Sequence, residues 1–129
     1  MNILHQILLV ASGGALGALS RFGITELARW AVGKEFPIGT LIANLIGCFL
    51  IGIFIGSGHP ETNAKARLAF GVGFLGSLTT FSTFTAETLQ HAQQGQYLHV
   101  FGNIGLHLLL GFVAVFAGFW IGQKLFARA

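Results

Sequence analysis

Residues Phe70 to Glu87 read FGVGFLGSLTTFSTFTAE, a run that carries no charge until its last residue and is long enough to cross the core of a bilayer. Gly71, Gly73 and Gly76 loosen any helix formed there. Thr79, Thr80, Ser82, Thr83 and Thr85 then crowd five hydroxyls into seven residues, with Phe81 and Phe84 three apart among them. Main chain that leaves the helix within hydrocarbon exposes polar groups at several kcal/mol each, so a break survives only when buried in protein or lining a polar cavity. The stretch predicts a membrane-spanning helix broken near its middle, with something polar at the break.

The whole chain agrees with a membrane environment. Its 129 residues are 53% hydrophobic and 9% charged, with a mean hydropathy of +0.75, which would leave a soluble surface almost bare of ionic groups. At roughly 20 apolar residues per crossing, the length holds four spans and no soluble catalytic domain. Charge-free runs, Pro37, and turn residues at 56–60 and 93–95 place the spans at about 3–30, 38–56, 66–92 and 98–123 in one all-α domain, 1–129. A signal peptide is the alternative for the first span, but a basic leading segment is missing and Gly13, Gly14 and Gly17 suit helix contact better than cleavage. Cys48, the single cysteine, lies inside the second span and reads as a small apolar residue.

The basic residues give a weak orientation signal. Lys65, Arg67, Lys124 and Arg128 fall on one side, against Arg29 and Lys34 on the other, a bias small enough to permit insertion both ways round. The +3 charge reflects these flanking residues and does not imply nucleic-acid binding. Gly13 with Gly17, Gly52 with Gly56 and Gly118 with Gly122 are small-xxx-small pairs that let backbones approach. They serve contact within one subunit or between subunits. Four helices hardly enclose a hydrated path alone, so a dimer is expected.

Polar residues within spans are functional candidates because their burial is costly. Thr40, Asn44 and Gly47 share one face of the second span, and the Asn44 amide offers donors to an anion or a bond to another helix. Arg21 either snorkels to the interface or draws anions into a vestibule. Glu87, one turn beyond Thr83, is either a solvated helix end or a partner of Arg21. His107, one turn after Asn103, sits well inside the fourth span and either lines a path or makes an interhelical hydrogen bond; His5, His59, His91 and His99 lie at span ends or in loops. No HExxH, CxxC or phosphate-binding loop occurs, and the chain reads as a non-enzyme.

Two phenylalanines among hydroxyls point to an anion. An aromatic ring is positive at its edge, so an edge-on Phe offers weak positive potential without a titratable group. A cation path would bring carboxylates or carbonyl rings, yet the chain has no Asp, and Glu87 is its only acid near a span interior. The Asn44 amide, the hydroxyls and the Phe edges together suit a small, strongly hydrated anion.

GGALGALSRF (Gly13 to Phe22), GTLIANLIGCFLIG (Gly39 to Gly52) and GFLGSLTTFSTFTAE (Gly73 to Glu87) resemble the signature segments of the Fluc (CrcB) family of small fluoride channels, in order, spacing and total length. The resemblance covers all four spans. It implies an antiparallel, dual-topology homodimer in the cell inner membrane with two fluoride pores along the subunit interface. By the same resemblance, Phe81, Phe84 and Asn44 line the pore and the hydroxyls of Ser82 and Thr83 join a polar track. It implies a structural sodium ion held by the main-chain carbonyls of Gly76 and Thr79, and a vestibule or structural role for Arg21. Thr40, Glu87 and His107 are further pore or vestibule candidates. Ser77 stands where many relatives have a second glycine, and Gly111 falls about where many have a fourth-span hydroxyl, leaving His107 or Asn103 as substitutes.

The resulting expectation is a passive channel that lets fluoride leave the cell. A proton-coupled multidrug exporter shares four spans but needs an early buried carboxylate, and the first span has none before Glu26. A non-transporting assembly subunit would leave Asn44 and the hydroxyls unexplained.

Overall fold

The computed structural model describes residues 1–33 and 36–126. Lys34 and Arg128, counted in the charge bias, lie outside the described residues. α1 (Ile3–Val32) is capped by Asn2, whose Oδ1 accepts the His5 N–H, and continues past Trp30 because no breaker occurs before Gly33, at φ 86°. α2 (Ile38–Gly56) starts behind Pro37. The short helices α3 (His59–Thr62) and α4 (Ala64–Ala66) lead into a π-helical stretch, Arg67–Leu75, continued by α5 (Gly76–Leu78). After a break come α6 (Phe81–Gln93) and α7 (Tyr97–Phe126).

Four segments, Ile3–Val32, Ile38–Gly56, Ala64–Gln93 and Tyr97–Phe126, are long and apolar enough to cross a membrane, and the described residues contain no strand. The protein is a multi-pass, all-α membrane protein with a broken third span. These bounds lie within three residues of those expected from sequence.

Glycine sets the helix pairing. α1 lies along the π-helical stretch, and α2 lies along α7. A Cβ on Gly13 or Gly17 would run into the carbonyls of Ala69 or Phe74, and one on Gly73 would stand 2.7 Å from the Val10 carbonyl. On the second seam Gly52 and Gly56 meet the carbonyls of Val115 and Phe119, and Gly118 and Gly122 meet those of Phe49 and Ile53. All three small-xxx-small pairs are therefore used within the subunit, where van der Waals contact holds helices together in lipid.

Candidate functional site at the break in the third span

The helix breaks at Thr79 and Thr80, both extended (ψ 154° and 118°). Thr80 restarts it. Its Oγ1 accepts the Thr83 N–H at 3.2 Å and donates to Thr83 Oγ1 at 3.0 Å, a side-chain N-cap for α6. Asn44 of α2 clamps the same residue: its Nδ2 donates to the Thr80 carbonyl at 3.1 Å, and its Oδ1 accepts the Thr80 N–H at 2.8 Å. In an unbroken helix the Thr80 N–H would return to the Gly76 carbonyl and the Thr83 N–H to the Thr79 carbonyl. Both go elsewhere, so Gly76 and Thr79 each have a carbonyl without its helical donor.

Arg21 holds the opposite side of the break. Its Nε donates to the Ser77 carbonyl at 3.0 Å, a bond that takes the place of the helical bond from the Phe81 N–H. The sequence left Arg21 between the interface, a vestibule and a structural role; it lines neither of the two spaces described below and supports main chain. Ser77 keeps its carbonyl in use, and its hydroxyl lies over Gly14.

Beside the break runs a groove of about 470 Å³, walled by Asn44, Thr79, Thr80, Phe81, Phe84 and His107 among others. Three rings follow one another along it. Phe81 and Phe84 have centroids 5.6 Å apart, and Phe84 and His107 4.4 Å. Phe84 is buried at 9% exposure, while Phe81 stands out at 76%. Gly76 and Cys48 also reach the groove wall. Gly111, where a fourth-span hydroxyl was sought, faces the Cys48 sulfur.

His107 Nδ1 lies 2.9 Å from the Asn103 carbonyl, one turn earlier on its own helix. A carbonyl only accepts, so Nδ1 carries the proton and Nε2, buried and without a partner among the described residues, presents its lone pair. The interhelical bond expected of His107 belongs to Asn103. That side chain is fully buried and its Nδ2 donates to Thr88 Oγ1 at 2.9 Å, fastening α7 to α6 away from the groove.

One turn from Asn44 along α2, a second space of about 810 Å³ opens at the end of the bundle, walled by Arg29, Thr40, Glu87, Gln90, His91 and His99 among others. Thr40, 3% exposed, donates through Oγ1 to Glu87 Oε1 at 2.6 Å, and Glu87 Oε2 is buried with no partner among the described residues. Glu87 is thus neither a solvated helix end nor a partner of Arg21. The one ion pair among the described residues joins Glu26 and Arg29 on α1.

The structure brings Asn44, Phe81, Phe84 and His107 to one groove and Thr40 with Glu87 to the adjoining vestibule. Ser82 and Thr83 do not line the groove. Their hydroxyls cluster at Thr80 Oγ1, with Ser82 Oγ at 3.3 Å, and Ser82 is exposed on the outer face.

The family model described as CrcB-like protein, Camphor Resistance (CrcB), matches residues 8–119. The chain belongs to the CrcB family. Proteins named fluoride-specific ion channel FluC are similar over nearly the whole length: one from Dehalococcoides mccartyi (strain CBDB1) is 45% identical over 122 residues, 93% of this chain and 94% of the relative. Another, from Aeromonas salmonicida (strain A449), is 46% identical over 114 residues, covering 86% and 90%. A third, from Vibrio campbellii (strain ATCC BAA-1116), is 40% identical over 131 residues and covers both chains fully.

Within this CrcB-family chain the residue that sequence reasoning passed over is Thr80, where Asn44, Ser82 and Thr83 meet. A signal was present: a threonine three positions before Thr83, after a glycine-loosened stretch, has the pattern of an N-cap. The Thr88 to Asn103 bond had no such signal, since it joins helices in space.

Proposed function

We propose that the chain is a passive, fluoride-selective channel that lets fluoride leave the cell across the inner membrane. The carrying observation is the convergence of Asn44, Phe81 and Phe84 on one groove beside the break. Asn44 keeps one Nδ2 hydrogen beyond the one given to Thr80, and the tilted rings of Phe81 and Phe84 carry positive potential at their edges. These uncharged donors replace water around a small anion without trapping it, which conduction requires. Hydrogen fluoride enters as the neutral acid and dissociates inside, so an open path for the ion is sufficient and no reaction is catalysed. The names of the relatives agree with this reading.

The working unit is an antiparallel, dual-topology homodimer. Phe81 and Ser82, exposed in the single subunit, then meet a second copy, which closes the groove and makes Ser82 and Thr83 part of its polar track. The Gly76 and Thr79 carbonyls fit a structural sodium ion, since oxygen donors free of helical bonds suit a hard cation. When bound, the ion neutralises those carbonyl dipoles at the subunit contact. Arg21 and Asn44 hold the main chain on either side.

An exporter coupled to protons finds no support in the first span: Glu26, its one acid, is exposed and paired with Arg29. The test is fluoride-electrode efflux from liposomes, with chloride as comparison ion. Wild-type protein should release fluoride and retain chloride, and Phe81→Ile should abolish release while the protein remains folded. Undiminished release by Phe81→Ile would count against the assignment.

A further inference from the structure

The vestibule holds a pair of side chains that fluoride conduction does not use. His91 near the end of α6 and His99 in the first turn of α7 both line it, and the turn through Gly95, at φ 70°, folds the two helices back on one another. Their ring centroids lie 5.0 Å apart with planes at 42°. Phe36 covers both rings, at 6.3 Å from His91 and 5.9 Å from His99. Gln96 Oε1 lies 2.6 Å from His91 Nδ1. An amide oxygen only accepts, so Nδ1 carries the proton and Nε2 presents a lone pair. Metal-ligating histidines are commonly oriented by such an outer hydrogen bond.

We propose that His91 and His99 form a two-imidazole site for a divalent first-row transition ion of the Zn²⁺ or Ni²⁺ class. With metal–nitrogen bonds of about 2.0–2.1 Å, a shared ion stands roughly 3.2 Å from each centroid, and the 5.0 Å separation then subtends roughly 100°, close to tetrahedral. Imidazole nitrogen selects such ions over magnesium and calcium, which prefer oxygen. The described residues supply no cluster of three or more His, Cys, Asp or Glu, so water completes the shell. Glu87, one turn before His91 on the same wall, offsets the charge of the ion, while Arg29 stands on the α1 side. The site shares the vestibule wall with Thr40.

Calorimetric titration of the detergent-purified protein with ZnCl₂, and with MgCl₂ as control, tests this without reference to transport. One Zn²⁺ per chain and no Mg²⁺ response are expected. Binding should vanish in the His91→Gln, His99→Gln protein, weaken about tenfold or more in Gln96→Ala, and persist in His5→Gln, His59→Gln. Absence of Zn²⁺ binding by the native chain, or equal affinity in the His91→Gln, His99→Gln protein, would overturn the site. Because the readout is heat of binding, an inactive channel would leave the result interpretable.

Discussion

Asn44 and Thr80, 36 positions apart, hold each other through two hydrogen bonds, 3.1 Å from Nδ2 to the Thr80 carbonyl and 2.8 Å from the Thr80 N–H to Oδ1. The side-chain amide stands in for a main-chain partner at the point where the helix gives none. It therefore decides where the third span restarts, and with it which way Phe81 and Phe84 face.

Asn44→Ala should remove both bonds at once. Each buried group left unpaired costs about 1–3 kcal/mol, so the thermal midpoint in detergent should fall along with fluoride efflux. A variant that loses efflux at unchanged midpoint would place Asn44 in contact with the ion alone.

Arg21→Gln tests the other side of the break. Losing a charged donor to the Ser77 carbonyl costs up to about 1.5–3 kcal/mol, toward the low end because Arg21 is half-buried. Thermal stability should drop. If the melting curve stays put and only conduction changes, Arg21 acts on the ion and not on the main chain.

Phe84 and Phe81 should separate stability from conduction. Phe84 is 9% exposed and rests on His107, whereas Phe81 is 76% exposed. Replacing each by Ala should destabilise the first subunit fold far more than the second, yet silence fluoride efflux in both. Differential scanning fluorimetry beside liposome efflux reads the two effects.

Thr40→Val deletes the donor to Glu87 Oε1 and leaves both carboxylate oxygens without a partner among the described residues. Efflux is expected to fall by about tenfold or more, equivalent to 1.4 kcal/mol. Thr40→Ser retains the hydroxyl and should restore it. Failure of the serine variant would locate the effect in shape and not in the hydrogen bond.

Gly17→Ala and Gly23→Ala form a matched pair on α1. The added methyl meets the Phe74 carbonyl at the first position and open space at the second. Overpacking against backbone costs about 1–3 kcal/mol or more, so Gly17→Ala should aggregate or melt early while Gly23→Ala behaves as wild type by size-exclusion chromatography and fluorimetry.

Much of the fold was legible along the chain. Hydropathy marks each span because hydrocarbon tolerates no run of unpaired polar groups, and the glycines and hydroxyls between Gly71 and Thr85 announced the break. Asn44, Phe81 and Phe84 stood out as polar or aromatic groups where a span needs neither. The sequence left the roles of Arg21 and Glu87 open between alternatives for a common reason. Each is held by a group on another span, the Ser77 carbonyl and the Thr40 hydroxyl, and periodicity along one helix carries no information about such partners.

Composition and spacing alone thus determined a four-span helical membrane protein, interrupted in its third span and bearing donors suited to an anion. Tertiary structure decided the rest: the restart at Thr80, the two carbonyls without helical donors, the use of all three glycine pairs inside the subunit, and the histidine pair in the vestibule. The division has a physical origin. Lipid acts on every residue separately, so its demands are written locally, whereas a hydrogen bond or a close backbone contact exists only once two distant segments have met.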